Sequence, residues 1–326
     1  MVFNDITNGN DLYQIKEVIL GVFASTANQM LTLFVFIAIG FGLNKKHILP
    51  DNTSSVLSKL ETYIFVPCLI FTVFFKYCTI ENLRSKYVYM LYGLVIMVIS
   101  LVIGTLLAKC FAKDDYVRRI YTYSFAVSNF SFMGNAVVLG VFGEAALFDY
   151  MIFTLPLYLY TYSIGTVSLI PVQESRRFRM KALINPIFVS LLLGIILGLI
   201  AIPVPRFIMS MVESAGNCMS PCAMLLTGFV IGNYKLKDLA SNKKIYLVSI
   251  LRLVIIPVFF VIVLSMLRTD KELIRVALCA TAMPLGLNTV VFPAAYGGDT
   301  TPGASMALIS HALSVMTIPL IFAAFA

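Results

Sequence analysis

The stretch Thr281-Ala-Met-Pro-Leu-Gly-Leu-Asn-Thr289 interrupts an apolar run near the end of the chain. Pro284 lacks a backbone N–H and its ring clashes with the preceding helical turn, while Gly286 lowers the cost of leaving helical geometry. Ser128-Asn-Phe-Ser-Phe-Met-Gly-Asn135 interrupts an earlier apolar run in a similar way, with a glycine at Gly134. We therefore predict two membrane helices that unwind near their middles.

Composition places the whole chain in a membrane. Of 326 residues, 60% are hydrophobic and only 12% are charged, which leaves too few polar side chains to cover a soluble globule of this size. At about 20 apolar residues per crossing, this length allows about ten membrane helices. Turn and charge clusters separate ten predicted spans, at residues 17–43, 52–75, 87–109, 119–142, 147–171, 185–202, 206–232, 245–267, 273–296 and 303–325.

The basic residues lie mostly in short loops, which indicates membrane topology rather than a nucleic-acid partner. With the N-terminus outside, the inner loops hold fourteen Lys and Arg against eight on the outer side. We therefore predict that both termini are extracytoplasmic. Because the sequence has no soluble domain and no GxxxxGK(S/T) phosphate loop, any energy coupling would be to a gradient. The inner set comprises Lys45, Lys46, Lys109, Lys113, Arg118, Arg119, Arg176, Arg177, Arg179, Lys181, Lys235, Lys237, Lys243 and Lys244.

The two halves of the sequence repeat each other, with Pro67 and Pro221 lying 154 residues apart. Each half holds five predicted spans, an odd number, so the second copy enters the membrane from the opposite side, as in alternating-access transporters. We predict a first repeat at 1–171, a cytoplasmic loop at 172–184 and an inverted second repeat at 185–326. The matched positions are Val66-Pro-Cys68 with Ser220-Pro-Cys222, Phe142-Gly143 with Tyr296-Gly297, Asn135 with Asn288, and Gly40 with Gly194.

The two predicted breaks are the candidate binding site. Broken backbone in hydrocarbon is tolerated only where protein or a water-filled cavity satisfies it, so two breaks at equivalent depth imply a cavity between them. The N-termini of half-helices offer free N–H groups and partial positive charge, which suit a carboxylate. The alternative is that these polar side chains only bond across packed helices. The predicted substrate-binding residues are Asn129, Ser131, Gly134, Asn135, Pro284, Gly286, Asn288 and Thr289.

Other polar residues within the spans are secondary candidates. Asn217 and Ser220, beside the proline of span seven, are predicted to line the pathway opposite the breaks. His311 is a candidate proton-coupling residue, because imidazole titrates near physiological pH and span ten holds no other titratable group. The alternative is a neutral His311 bonded to a backbone carbonyl inside the bundle.

Lys59 and Glu61 lie early in predicted span two, and Arg252 lies in predicted span eight. We expect these side chains to snorkel to the interface or to pair with a partner. The six cysteines show no metal-ligand spacing, so no metal site is expected.

The chain resembles the auxin efflux carrier family over nearly its whole length. The resemblance rests on Leu60–Phe71 in span two, Ser128–Asn135 in span four, Ala282–Asn288 in span nine and Ser310–Pro319 in span ten. Where the family usually has proline after the glycine of span four, this chain has Asn135. The family often has Thr or Ser where His311 stands.

The resemblance implies a ten-helix fold like that of bile-acid carriers and sodium/proton antiporters, with spans four and nine crossing at their breaks. Spans one, two, six and seven would form a scaffold and a homodimer surface. Spans three to five and eight to ten would form a mobile transport domain that moves as an elevator.

The expected function is a gradient-driven carrier of a small organic anion, a mono- or dicarboxylate, in the cell membrane. No cofactor is expected beyond a coupling ion, H⁺ or Na⁺. A sodium/proton antiporter is the main alternative, although neither broken segment contains the Asp or Glu it would need. A passive channel or a non-transporting sensor is a further alternative. An intramembrane protease is disfavoured because Asp299 has no buried Asp partner in the sequence pattern.

Overall fold

The computed structural model describes residues 9–170 and 185–325, so the predicted cytoplasmic loop at 172–184 lies outside the described residues. The described part of the chain is helical throughout, apart from its connections and one isolated bridged residue pair. The helices are α1 (Gly9–Lys45), α2 (Thr53–Tyr77), α3 (Ile80–Phe111), α4 (Asp115–Ala126), α5 (Phe130–Leu169), α6 (Pro186–Ile200), α7 (Arg206–Gly232), α8 (Leu236–Ala240), α9 (Lys243–Met266), α10 (Lys271–Ala282), α11 (Asn288–Tyr296) and α12 (Thr301–Phe325).

Seven helices are long and apolar enough to cross a membrane, namely α1, α2, α3, α5, α7, α9 and α12. The protein is therefore a multi-pass membrane protein, as composition predicts. The longest of these, α5, has 40 residues, about twice what the hydrocarbon core requires. Gly143 interrupts it with a φ of 85°, a conformation that favours glycine. The shorter helices α4, α10 and α11 flank the two predicted breaks.

Proline widens two of the long helices. A π-helical turn occupies Glu61–Phe65 in α2 and begins six residues before Pro67. A second such turn occupies Leu251–Ile255 in α9 and begins six residues before Pro257. Because a proline ring clashes with the carbonyl one turn earlier, the helix relaxes into a wider turn there, a feature often found at functional sites. Helix α7 is instead kinked at Cys218, three residues before its own proline.

Small residues bring the helices α1 and α7 close together. A Cβ added to Gly40 would lie 2.1 Å from the carbonyl oxygen of Leu225, and one added to Gly228 would lie 1.9 Å from that of Ile37. Backbones in membrane proteins approach this closely only where glycine or another small residue stands at the contact. Helices α2 and α7 pack against each other and α2 packs against α6, while α3 packs against α4 and α5.

Candidate functional site

The two unwound segments lie directly against each other. Helix α4 ends at Ala126 and α5 begins at Phe130, while α10 ends at Ala282 and α11 begins at Asn288. Between these ends, the backbone N–H of Asn129 donates to the carbonyl of Pro284 at 2.8 Å. Ser128 and Leu285 form an antiparallel bridge. The crossing therefore satisfies backbone groups that the helices leave unpaired.

Side chains and close packing hold this crossing together. The Ser128 hydroxyl donates to the carbonyl of Ala280 at 2.6 Å, and the N–H of Leu285 donates to the Ser310 hydroxyl at 3.3 Å. A Cβ added to Gly286 would lie 2.8 Å from the carbonyl oxygen of Val127. Glycine at this position is therefore what lets the two segments touch.

Two helices, α5 and α11, begin at the crossing. Within the described residues, neither start has a side-chain cap. The first N–H groups of a helix carry partial positive charge, and in α11 those of Thr289 and Val290 already donate to the carbonyls of Gly286 and Leu287. Two such starts near one point favour a negatively charged group.

Three buried asparagines surround the crossing, and each donates through its amide nitrogen. Asn135 donates to the Tyr158 hydroxyl at 2.7 Å and Asn288 to the Tyr123 hydroxyl at 2.8 Å. Asn129 faces Nε2 of His311 at 3.0 Å. The side-chain oxygens of all three asparagines lack a hydrogen-bond partner among the described residues.

His311 is fully buried, and both of its ring nitrogens are engaged. Nδ1 lies 2.9 Å from the carbonyl of Ala307 and therefore carries the proton, which leaves Nε2 as the acceptor for the Asn129 amide. This is the arrangement of a neutral histidine bonded to a backbone carbonyl, one of the two interpretations open from the sequence. In it, His311 orients Asn129.

The remaining predicted residues also lie at the crossing. Ser131 is buried and faces the hydroxyls of Tyr158 and Tyr162. A Cβ added to Gly134 would lie 2.1 Å from the Tyr150 hydroxyl, and the hydroxyl of Thr289 donates to the carbonyl of Gly286 at 2.9 Å. The structure thus brings together all eight predicted site residues: Asn129, Ser131, Gly134, Asn135, Pro284, Gly286, Asn288 and Thr289.

A cavity of about 230 Å³ opens beside the start of α5. Asn135 lines it from one side, and Asn217 and Ser220 of α7 line it from the other, together with Gln29 of α1. Apolar side chains make up most of the remaining wall, among them Leu69 of α2. Among the described residues that line this cavity, Asn135 is the only one of the eight residues predicted to bind substrate.

A family profile decides the class of protein. The profile described as "Membrane transport protein" matches residues 25–179 and 170–322. The chain belongs to this family, the auxin efflux carriers. An "Uncharacterized transporter" of Methanothermobacter thermautotrophicus is 24% identical over 305 residues, which cover 92% of this chain and 98% of the relative. The resemblance seen in the sequence is confirmed, and the protein is a membrane transport protein.

The cavity of this auxin efflux carrier family member continues toward a charged cluster that the sequence did not reveal. A neighbouring cavity of about 90 Å³ shares Asn217 and reaches Lys76, Glu144 and Glu213. The ammonium of Lys76 lies 3.1 Å from Glu213 and 3.3 Å from Glu144. Tyr77 also donates to Glu144, at 3.0 Å. Since these residues come from three separate helices, only the tertiary fold brings them together.

Two charged residues of this carrier lie deeper than predicted. The expectation that Glu61 and Arg252 snorkel or pair was wrong for both, because they are 0% and 2% exposed and form no ion pair among the described residues. Lys59 is exposed. Arg252 lines a cavity of about 20 Å³ with Ala126 and Thr281. These lie at the C-terminal ends of α4 and α10, where a cation complements the helix dipoles.

Proposed function

We propose that this protein is a gradient-driven carrier of a small organic anion, a mono- or dicarboxylate, which binds at the crossing of the two broken helices. The observation that carries the proposal is the meeting of two uncapped helix starts at one buried point, beside Asn129, Asn135 and Asn288. Anions bind at such helix starts, and each asparagine amide has a second N–H beyond the one it already donates. Neither crossing segment contains Asp or Glu, which disfavours a sodium/proton antiporter.

The proposal includes the finer architecture. We count residues 115–142 as one broken span and residues 271–296 as another. If α5 turns back at Gly143, its second half is a further crossing. Together with α1, α2, α3, α6, α7, α9 and α12, these make ten crossings. The antiparallel pairing of Ser128 with Leu285 and the two matches to the family profile support two inverted repeats, at 1–171 and 185–326. The loop 172–184 would be cytoplasmic and both termini extracytoplasmic, in the cell membrane.

The proposed mechanism is alternating access of the elevator type. The cavity beside Asn135 lies between α5 on one side and α1, α2 and α7 on the other. We assign spans one, two, six and seven to a scaffold that forms a homodimer, and spans three to five and eight to ten to the moving domain. Asn217 and Ser220 would line the path along which the bound anion moves.

A ligand panel tests the proposed substrate class. The thermal stability of the purified protein should be measured with acetate, lactate, malonate, succinate, benzoate and phenylacetate, with and without sodium and across pH. We expect at least one acid to raise the unfolding temperature saturably, because a ligand at 100 times its Kd stabilises the folded state by about 2.7 kcal/mol.

Neutral amides of the same acids are the matched control, since they keep the carbon skeleton and lose the charge. We expect these amides to leave the unfolding temperature unchanged. Equal stabilisation by acid and amide, or no stabilisation by any acid of the panel, would contradict the proposed function.

A further inference from the structure

Glu61 is a buried carboxyl that the proposed anion site does not use. It lies eight residues into α2, about 12 Å along the helix from its start. Its side chain is 0% exposed. Two acidic residues of other membrane helices have cationic partners, Glu213 in Lys76 and Asp149 in Lys86. Glu61 has none among the ion pairs of the described residues.

The groups around Glu61 do not compensate a negative charge. Its carboxyl faces the Cys222 thiol and the Ala223 backbone N–H, both from α7, but neither carboxyl oxygen completes a hydrogen bond within the described residues. A thiol is a weak donor. An ionised carboxylate without a cation or strong donors is costly to bury at membrane depth, so this environment favours the protonated form.

Charged groups on the neighbouring helices do not change this conclusion. The described residues of α6 and α11, which pack on this part of α2, include no acidic or basic side chain. In α7, Arg206 is exposed and Glu213 is paired with Lys76. The phenol of Tyr162, from α5, is the other titratable group that interacts with Glu61.

Tyr162 connects Glu61 with the crossing. Its hydroxyl lies against Ser131 and is close enough to Glu61 for an electrostatic interaction, but it completes no hydrogen bond with a described residue. Ser131 in turn faces Tyr158, which accepts from the amide of Asn135. Tyr162 therefore interacts electrostatically with the carboxyl and, through Ser131, adjoins the polar groups of the site proposed for the anion.

Glu61 also lies near a contact between α2 and α11. Ser58, three residues earlier and on the same helix face, donates to the carbonyl of Val291 at 2.9 Å. Helix α11 starts at the crossing, whereas α2 belongs to the proposed scaffold. The charge of Glu61 would therefore change the electrostatic potential at the contact between the two proposed domains.

We propose that Glu61 is the proton-binding site of the carrier: at a pH where the free carboxyl is ionised, it takes up a proton from water when the organic anion binds and returns it when the anion leaves. The step forms one O–H bond on the carboxylate and involves no electron transfer. This inference rests on the proposed function and names its coupling ion. Sodium fits less well, because hard cations need oxygen ligands and the neighbours here are a thiol and an N–H.

Electrostatics links the two ligands. An ionised Glu61 would repel a carboxylate at the crossing, and two unit charges about 10 Å apart at an effective dielectric constant near 20 change an affinity roughly tenfold. Protonation removes that repulsion. By linkage, the bound anion strengthens proton binding by the same factor.

Infrared spectroscopy tests the protonation of Glu61 without any substrate. We expect the purified protein to show the C=O band of a buried carboxylic acid, shifted in D₂O and lost at high pH. Glu61→Gln should lack this band, and the exposed Glu81→Gln should keep it. Identical spectra for wild-type protein and Glu61→Gln would overturn the assignment. If the variant folds poorly, titration of the wild-type protein alone tests it, and the absence of a carboxylic acid band that is lost at high pH would overturn it.

Proton uptake tests the coupling. The acid of the panel that stabilises the protein most should be added in weak buffer, with a pH indicator present. At a pH just above the one at which the free protein loses its infrared band, wild-type protein and Glu81→Gln should take up about half a proton per bound anion, as a tenfold coupling requires. Glu61→Gln should bind the anion with a pH-independent affinity and take up none.

The two proposals fail in different ways. If no acid of the panel binds to any variant, the proposed function is contradicted. If the acid binds to wild-type protein and Glu61→Gln with the same proton uptake and the same pH dependence, the carrier proposal stands and the role of Glu61 is contradicted.

Discussion

Gly286→Ala is expected to lower the unfolding temperature and to abolish stabilisation by carboxylates. The added Cβ would lie 2.8 Å from the carbonyl oxygen of Val127 and 3.3 Å from that of Ser128. Both contacts are with backbone, which cannot rotate away as a side chain can, so the two segments must separate. Overpacking of this kind typically costs about 1–3 kcal/mol. The measurement is thermal unfolding with and without the most stabilising acid of the panel.

Gly42→Ala is the matched control for this change. Gly42 lies within α1, and a Cβ added there would meet no atom within 4 Å. Because alanine also has the higher helix propensity, this variant should be at least as stable as the wild-type protein and should respond to the acid. If Gly286→Ala kept both its stability and its response, the close crossing would not be required for binding.

Asn288→Ala is expected to shift the stabilisation by carboxylates to much higher acid concentrations while the protein remains folded. Asn288 is the first residue of α11 and is 2% exposed at the crossing. A hydrogen bond to a charged group contributes about 1.5–3 kcal/mol, so loss of its amide should weaken anion binding roughly tenfold to a hundredfold. The measurement is the acid concentration that gives half of the maximal thermal stabilisation.

Tyr123→Phe separates a binding role of Asn288 from a structural one. The Tyr123 hydroxyl accepts from the Asn288 amide at 2.8 Å, so Phe removes that bond and leaves the amide in place. We expect this variant to keep a saturable response to the acid. If Tyr123→Phe weakened the response as much as Asn288→Ala, the bond between the two side chains, and not contact with the anion, would explain the effect.

Helices and helix breaks that depend on residues close together in the sequence could be predicted from the sequence. Apolar runs of about 20 residues gave the long helices, and Pro284 and Gly286 marked the second break because proline and glycine act on their own backbone. The first break, at 127–129, also appears, although Asn135 stands where proline is usual in the family. Its place is held by tertiary contacts such as the bond from Asn129 to Pro284.

The direction of side chains around the bundle axis could not be predicted. Glu61 and Lys59 stand two residues apart, yet one is buried and the other is exposed, because positions two apart lie on different faces of a helix. The sequence pattern did not show which face of α2 meets α7. Likewise, the contact of Lys76 with Glu144 and Glu213 depends on how three helices pack.

The role of His311 depended on the same kind of information. From the sequence it was either a titrating group or a neutral one, and the choice required the positions of Ala307 and Asn129 around the ring. The first lies one turn away on α12 and was within reach of prediction. The second is 182 residues distant, so only the fold shows that the imidazole contacts Asn129 at the crossing.

Counterflow in proteoliposomes tests the central claim most directly. Vesicles loaded with the most stabilising acid of the panel are diluted into a trace of the same acid carrying a radiolabel. We predict that wild-type protein accumulates label transiently above its equilibrium level and that its uptake saturates with concentration. At the concentrations that saturate the wild-type protein, Asn288→Ala should show neither. Uptake that rises linearly with concentration without overshoot, or counterflow that is equal in Asn288→Ala, would contradict a carrier that binds its anion at the crossing.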